Sequence, residues 1–232
     1  MKKFMVALCL LVMAVSAFAD DDLDLDKVQE GVENGDPAAI NALGVVYYDG
    51  LNGIKQDYAK ALELFTKAAN AGDTDALTNL GRMYYFGRGV KKDAKKAAEY
   101  FTQAAEKGNI EGVYNVALLY DRGEGGYKKD KKKAAEYYRQ AAEEGYAPAQ
   151  SNLASMYYSG DGIPQDKEQA FMWYKKAAEQ GDPQSQYNIA LMYDKGEGVK
   201  QDEALAEEWM KESAAQGYED AIKELNNAGE SK

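Results

Sequence analysis

The sequence predicts an all-α solenoid of five helix-turn-helix repeats, each 36–37 residues long, between terminal capping helices. Three residue series in one register predict it. Glycines recur at Gly35, Gly72, Gly108, Gly145, Gly181 and Gly217, with gaps of 37, 36, 37, 36 and 36 residues. A tyrosine recurs at Tyr47, Tyr84, Tyr120, Tyr157 and Tyr193, and an aspartate at Asp57, Asp93, Asp130, Asp166 and Asp202. Self-similarity at this period marks stacked supersecondary units that cannot bury their apolar faces alone.

Taken in order, residues 1–19 read as a secretory signal: Lys2 and Lys3, an apolar run from Phe4 to Val15, and Ala17-Phe18-Ala19 before Asp20. The run is short for a membrane span. The expected product is exported, periplasmic or secreted, with cleavage after Ala19 and no stable membrane insertion. Residues 20–35 form an acidic N-terminus and a capping half-repeat, with a short helix over Lys27–Asn34 stopped at Gly35. The repeats occupy 36–72, 73–108, 109–145, 146–181 and 182–217. Residues 218–232 start a sixth first helix, expected to break at Asn226-Asn227-Ala228-Gly229, and a tail. Terminal half-units suit a solenoid, whose end units must present polar outer faces.

The second repeat shows how each unit is specified. Ala76, Leu77, Leu80, Met83 and Tyr84 share one helical face, which defines a first helix. Gly87-Arg88-Gly89 ends it. Asp93 is placed to cap the next helix by accepting from its first-turn amides. Ala94, Ala97, Ala98, Phe101, Ala104 and Ala105 give that second helix its buried face, and Gly108 stops it. The loops of the first and third repeats, DGLNGIKQD and DRGEGGYKKD, carry one extra residue each, so length variation gathers on one edge.

Composition narrows the chemistry. The chain has no histidine, one cysteine (Cys9, inside the signal) and a net charge of −11. Histidine is the usual general base near neutral pH and a common metal ligand, so zinc and copper sites are not expected. A chain this acidic is a poor nucleic-acid binder, because phosphate neutralisation dominates that affinity. No serine after residue 19 begins an S-x-x-K motif, and none has a histidine to activate it. Carboxylates are plentiful, but no pair stands out as an acid/base couple. Asp22, Asp24, Asp26 and Glu33 match positions 1, 3, 5 and 12 of a calcium loop. Lys27 stands where that loop needs a sharply turning glycine, so the segment reads as an acidic lead into a helix cap. No cofactor is expected.

These residues resemble the Sel-one-like repeat family, a branch of the tetratricopeptide-like solenoids, of the exported bacterial type. The pattern A-x3-L-G-x2-Y-x2-G-x-G-V, then D-x2-K-A, an aromatic pair and K-A-A-x2-G, is matched by Ala76, Leu80, Gly81, Tyr84, Gly87, Gly89, Val90, Asp93, Ala97, Tyr100, Phe101, Ala104, Ala105 and Gly108. The fourth repeat matches through Ala149, Leu153, Tyr157, Gly160, Gly162, Asp166, Ala170, Trp173, Tyr174, Lys176, Ala177, Ala178 and Gly181, with Ala154 where glycine is usual. The resemblance spans residues 36–217. It implies a right-handed superhelix used as a scaffold for proteins or peptides. Some cysteine-rich secreted relatives are described as penicillin-binding or β-lactamase-like, but their paired repeat cysteines are missing here.

Candidate contact residues lie beside the core stripe of each first helix. They are Tyr48, Thr78, Arg82, Tyr85, Tyr114, Asp121, Tyr158, Gln184, Tyr187, Asn188, Leu191 and Asp194. Tyrosines in such places are good amphipathic anchors, though they serve equally to cover the next repeat. The series Tyr47, Tyr84, Tyr120, Tyr157 and Tyr193 is expected to pack in the core, as are Phe65, Phe101, Tyr138, Tyr174 and Met210. Asn79, Asn115, Asn152 and Asn188 recur where helix propensity disfavours them, which points to internal pairing or to a ligand. Lys128, Lys129, Lys131, Lys132 and Lys133, with Lys91, Lys92, Lys95 and Lys96 one repeat earlier, form either a solvated face or a basic edge for an anionic partner.

The expected function is a non-enzymatic, monomeric exported scaffold that binds a protein or peptide in a concave groove. The alternatives are a β-lactamase-like or cell-wall hydrolase, and a host-facing adaptor working through the lysine-rich edge.

Overall fold

The computed structural model describes residues 24–230. The secretory-signal segment 1–19 and Asp22 lie outside them. Twelve helices fill the described chain, with no strand among the described residues. They are α1 (Leu25–Glu33), α2 (Pro37–Asp49), α3 (Tyr58–Asn70), α4 (Thr74–Phe86), α5 (Ala94–Glu106), α6 (Ile110–Arg122), α7 (Lys131–Glu143), α8 (Ala147–Ser159), α9 (Lys167–Glu179), α10 (Pro183–Lys195), α11 (Glu203–Ala215) and α12 (Glu219–Glu230). They fall into two compact units, α1–α6 and α7–α12, divided between Lys129 and Asp130.

Capping chemistry sets the helix starts. Asp57, Asp93, Asp130, Asp166 and Asp202 each stand in extended backbone before α3, α5, α7, α9 and α11, and each carboxylate accepts from a first-turn amide. The aspartate series is therefore a series of N-caps, each worth about 1 kcal/mol. Asp36, Asp73, Asn109 and Asp182 do the same for α2, α4, α6 and α10. Tyr146 holds that place before α8 and makes no side-chain cap bond; Pro148 in the first turn supplies the helical φ instead. Each of α2, α4, α6, α8 and α10 ends on a left-handed glycine: Gly50, Gly87, Gly123, Gly160 or Gly196.

In both units each helix packs on its neighbours in sequence. In the first unit, Ile40, Tyr48, Ala61, Leu64, Phe65, Ala68, Ala76, Leu80 and Met83 form one apolar cluster. Helices approach closely where glycine leaves room. A Cβ at Gly44 or Gly81 would lie 2.6 or 2.5 Å from the ring of Phe65 or Phe101. In the second unit Ala149, Leu153, Ala170, Tyr174, Ala177, Ile189, Ala190 and Met192 are buried.

Three sequence expectations need correction. Of the tyrosine series expected in the core, Tyr193 is buried, whereas Tyr47, Tyr84, Tyr120 and Tyr157 are only half-buried. Their rings pack while their hydroxyls stay near the surface: Lys96 Nζ donates to Tyr84 Oη at 2.7 Å and Arg139 Nη2 to Tyr157 Oη at 3.1 Å. Met210 is likewise half-buried, unlike Phe65, Phe101, Tyr138 and Tyr174. Finally, α12 runs through Asn226-Asn227-Ala228-Gly229 to Glu230. Asparagine and glycine lower helix propensity but, unlike proline, leave the amide donor in place.

Candidate functional site

In the first unit most candidates are enclosed. Tyr48 is 3% exposed, Thr78 1%, Arg82 6% and Tyr114 4%. Sequence reasoning placed these four at the edge of the core stripe; the structure puts them inside it, because each has neighbours on the next repeat or in its own core. Tyr48 packs edge-on to Tyr58 with ring centroids 5.3 Å apart, and its hydroxyl accepts from Arg88 Nη1 at 2.8 Å. The Thr78 hydroxyl lies 3.2 Å from Asn109 Oδ1. The Arg82 guanidinium forms an ion pair with Glu111 and donates from Nη1 to Asn79 Oδ1 at 3.3 Å. Asn79 Nδ2 donates in turn to Asn41 Oδ1 at 3.0 Å. A polar chain thus crosses α2, α4 and α6, and Asn79 answers the propensity puzzle by internal pairing.

This chain is not fully satisfied. Among the described residues, Asp49 Oδ2, Arg82 Nε and Asn115 Oδ1 are buried without a hydrogen-bond partner, while Glu111 Oε1 is held only by its ion pair with Arg82. Burial pushes the Asp49 and Glu111 carboxyls above the ordinary range, opposed by nearby guanidinium groups: Arg88 and Arg82 for Asp49, Arg82 for Glu111.

Tyr85 and Tyr158, the half-buried candidates of α4 and α8, each clasp the loop of the following repeat. Tyr85 Oη donates to Glu124 Oε2 at 2.6 Å and accepts from Arg122 Nη1 at 3.2 Å. Tyr158 Oη donates to Glu197 Oε2 at 2.5 Å, and Lys167 Nζ donates to Glu197 Oε1 at 2.8 Å. The Lys167 ammonium, helped by the Tyr158 hydroxyl, holds the Glu197 carboxyl below its ordinary value. Asp121, near the end of α6, is half-buried. These clasps were missed from sequence; a Tyr–Glu separation of 39 residues in both places was the available signal.

In α10 the candidates behave differently. Gln184, Tyr187, Asn188 and Leu191 are half-buried and Asp194 is exposed. Their spacing puts them on one side of the helix, opposite the buried Ser185, Gln186, Ile189, Ala190, Met192 and Tyr193. Tyr187 sits against Tyr218, with ring centroids 5.3 Å apart. The structure therefore brings five candidates together on α10 and disperses the others into packing roles.

The lysine run divides. Lys128, Lys129, Lys132 and Lys133 are exposed, and Lys131 Nζ pairs with Asp161 at 2.8 Å. No group of three or more metal-ligating side chains occurs among the described residues, and no described helix is long and apolar enough to cross a membrane. Asp24, from the calcium-like pattern, caps α1 instead, accepting from the Lys27 amide at 3.2 Å.

Sel1 repeat models match residues 37–73, 74–109, 110–146, 147–182 and 183–218. The chain belongs to the Sel1 repeat family. Such repeats act in general as scaffolds for protein–protein interaction, on a generally non-enzymatic fold. Among solved structures, a protective antigen of uropathogenic Escherichia coli with an SLR fold is 36% identical, with a TM-score of 0.73 over 87% of this chain and 43% of the antigen. A Sel1 repeat protein from Oxalobacter formigenes is 34% identical, with a TM-score of 0.73 over 82% of this chain and 75% of the other. The ERAD-associated E3 ubiquitin-protein ligase component HRD3A of Arabidopsis thaliana is 33% identical over 70 residues, which make up 30% of this chain and 10% of the plant protein. The match thus spans under half of the antigen and a tenth of the ligase component.

Proposed function

We propose that this Sel1 repeat chain is an exported, non-enzymatic scaffold that binds a protein or extended peptide, with the half-buried side of α10 as its main contact surface. The observation that carries the reading is the division of α10 into a sealed side and a side of half-exposed, chemically mixed residues. Tyr187 and Leu191 offer apolar area, Gln184 and Asn188 offer amides, and Asp194 adds a charge at the end. An aromatic anchor beside adaptable polar groups is the usual make-up of a recognition surface. Export is supported by the sequence pattern of residues 1–19, and scaffold action by the five repeats.

Affinity capture with the chain after residue 19 tests this. The wild type should retain a specific protein from exported fractions. A Tyr187→Ala, Leu191→Ala double variant should weaken that capture by about 1–2 kcal/mol or more, since truncating a central aromatic anchor commonly costs this much. Undiminished capture by a folded double variant would remove α10 from the site.

A further inference from the structure

Several lysines in this acidic chain stand beside carboxylates. Lys27, Lys60, Lys131, Lys167, Lys175, Lys211 and Lys223 all do so within 4 Å. Lys91, Lys92, Lys95 and Lys96 do not. They line a hollow of about 680 Å³ between the end of α4 and the start of α5. The one carboxylate in its wall, Asp93, is occupied as an N-cap, accepting from the Lys95 and Lys96 amides at 3.0 Å.

Aromatic rings hold two of these ammonium groups in place. Lys96 Nζ lies 4.2 Å from the Tyr84 ring centroid and donates to its hydroxyl, while Tyr84 itself stacks on Tyr100 at 5.7 Å. Lys92 Nζ lies 5.6 Å from the Tyr85 ring centroid. A ring face attracts a cation without neutralising it, so the positive charge remains available. Four like charges beside a helix N-terminus, whose dipole is also positive, are mutually unfavourable until an anion arrives.

We infer that this hollow docks an acidic peptide segment, rich in aspartate and glutamate, of a protein partner. The inference rests on the scaffold reading and adds a second contact surface to it. Lysines are point charges without the planar fork of arginine, and the four that line the hollow can each meet a separate carboxylate. Its concave wall admits a chain more readily than a bilayer.

Fluorescence anisotropy of a labelled hexa-aspartate peptide with the full chain, at low ionic strength, tests it. Saturable binding is expected, weakening as salt rises. A K91Q/K92Q/K95Q/K96Q variant should bind about tenfold more weakly or worse, the sum of four modest exposed ion pairs. A K128Q/K129Q/K132Q variant, which loses charge elsewhere, should keep nearly full affinity. Circular dichroism would confirm that both variants are folded. The inference is overturned if hexa-aspartate does not saturate, or if the two variants weaken equally, which would reduce the effect to net charge. It is also overturned if inorganic phosphate or phosphatidylglycerol vesicles bind through these lysines while the peptide does not. None of these failures touches capture through α10.

Discussion

At the scale of single residues, the pair Arg82 and Glu111 joins α4 to α6 in a place where neither charge is well solvated. A buried pair is weak support for stability, yet removing one partner strands the other. Arg82→Met should therefore destabilise the chain by about 3–5 kcal/mol, whereas Arg82→Met with Glu111→Leu should recover most of the loss. Urea unfolding of the four members of this cycle checks it. The pH dependence has a definite sign. Burial holds the folded Glu111 carboxyl above its unfolded value despite Arg82. Between those two values the folded state binds more protons than the unfolded chain, so the contribution of Glu111 to stability falls as pH rises through the window. The stability difference between wild type and Glu111→Gln should shift against the wild type from the ordinary carboxylate range upward, then level off once both states are ionised. A flat difference would show that the carboxyl is not held up.

At the scale of elements, the repeat is made by caps, close approaches and clasps. The glycine beside Phe101 shows how little room is left. Gly81→Ala would bring a methyl group within 2.5 Å of that ring. Overpacking of this kind costs about 1–3 kcal/mol, so the variant should melt at lower temperature. An unchanged or higher melting temperature would mean that α4 and α5 are free to separate. The caps were legible in the sequence, since an aspartate before each second helix has one evident task. So was the alternation of helices, because period and glycine stops agreed. The clasps made by Tyr85 and Tyr158 were not legible. Each couples residues 39 positions apart, and only folded geometry says whether a tyrosine tip meets solvent or the next loop. For the same reason Tyr48, Thr78, Arg82 and Tyr114 looked like contact residues. A helical stripe gives the face of a residue, but the width of the neighbouring repeat decides whether that face is covered.

At the scale of the whole molecule, five Sel1 repeats hold the fold while their irregular positions carry the individuality of the chain. Regular residues such as Leu80, Ala104, Ala177 and Ile189 are buried and interchangeable in role. The side chains of α10 differ from those at the same places in the other first helices, as specific contacts require, whereas the lysines before α5 recur one repeat later at Lys128, Lys129, Lys132 and Lys133. A partner protein that grips α10 must protect its backbone from exchange. Hydrogen-exchange mass spectrometry of the chain, alone and saturated with its captured partner, tests the central claim most directly. The account predicts slowed exchange concentrated in peptides spanning residues 183–195. Protection confined to other helices, with α10 unchanged, would contradict it.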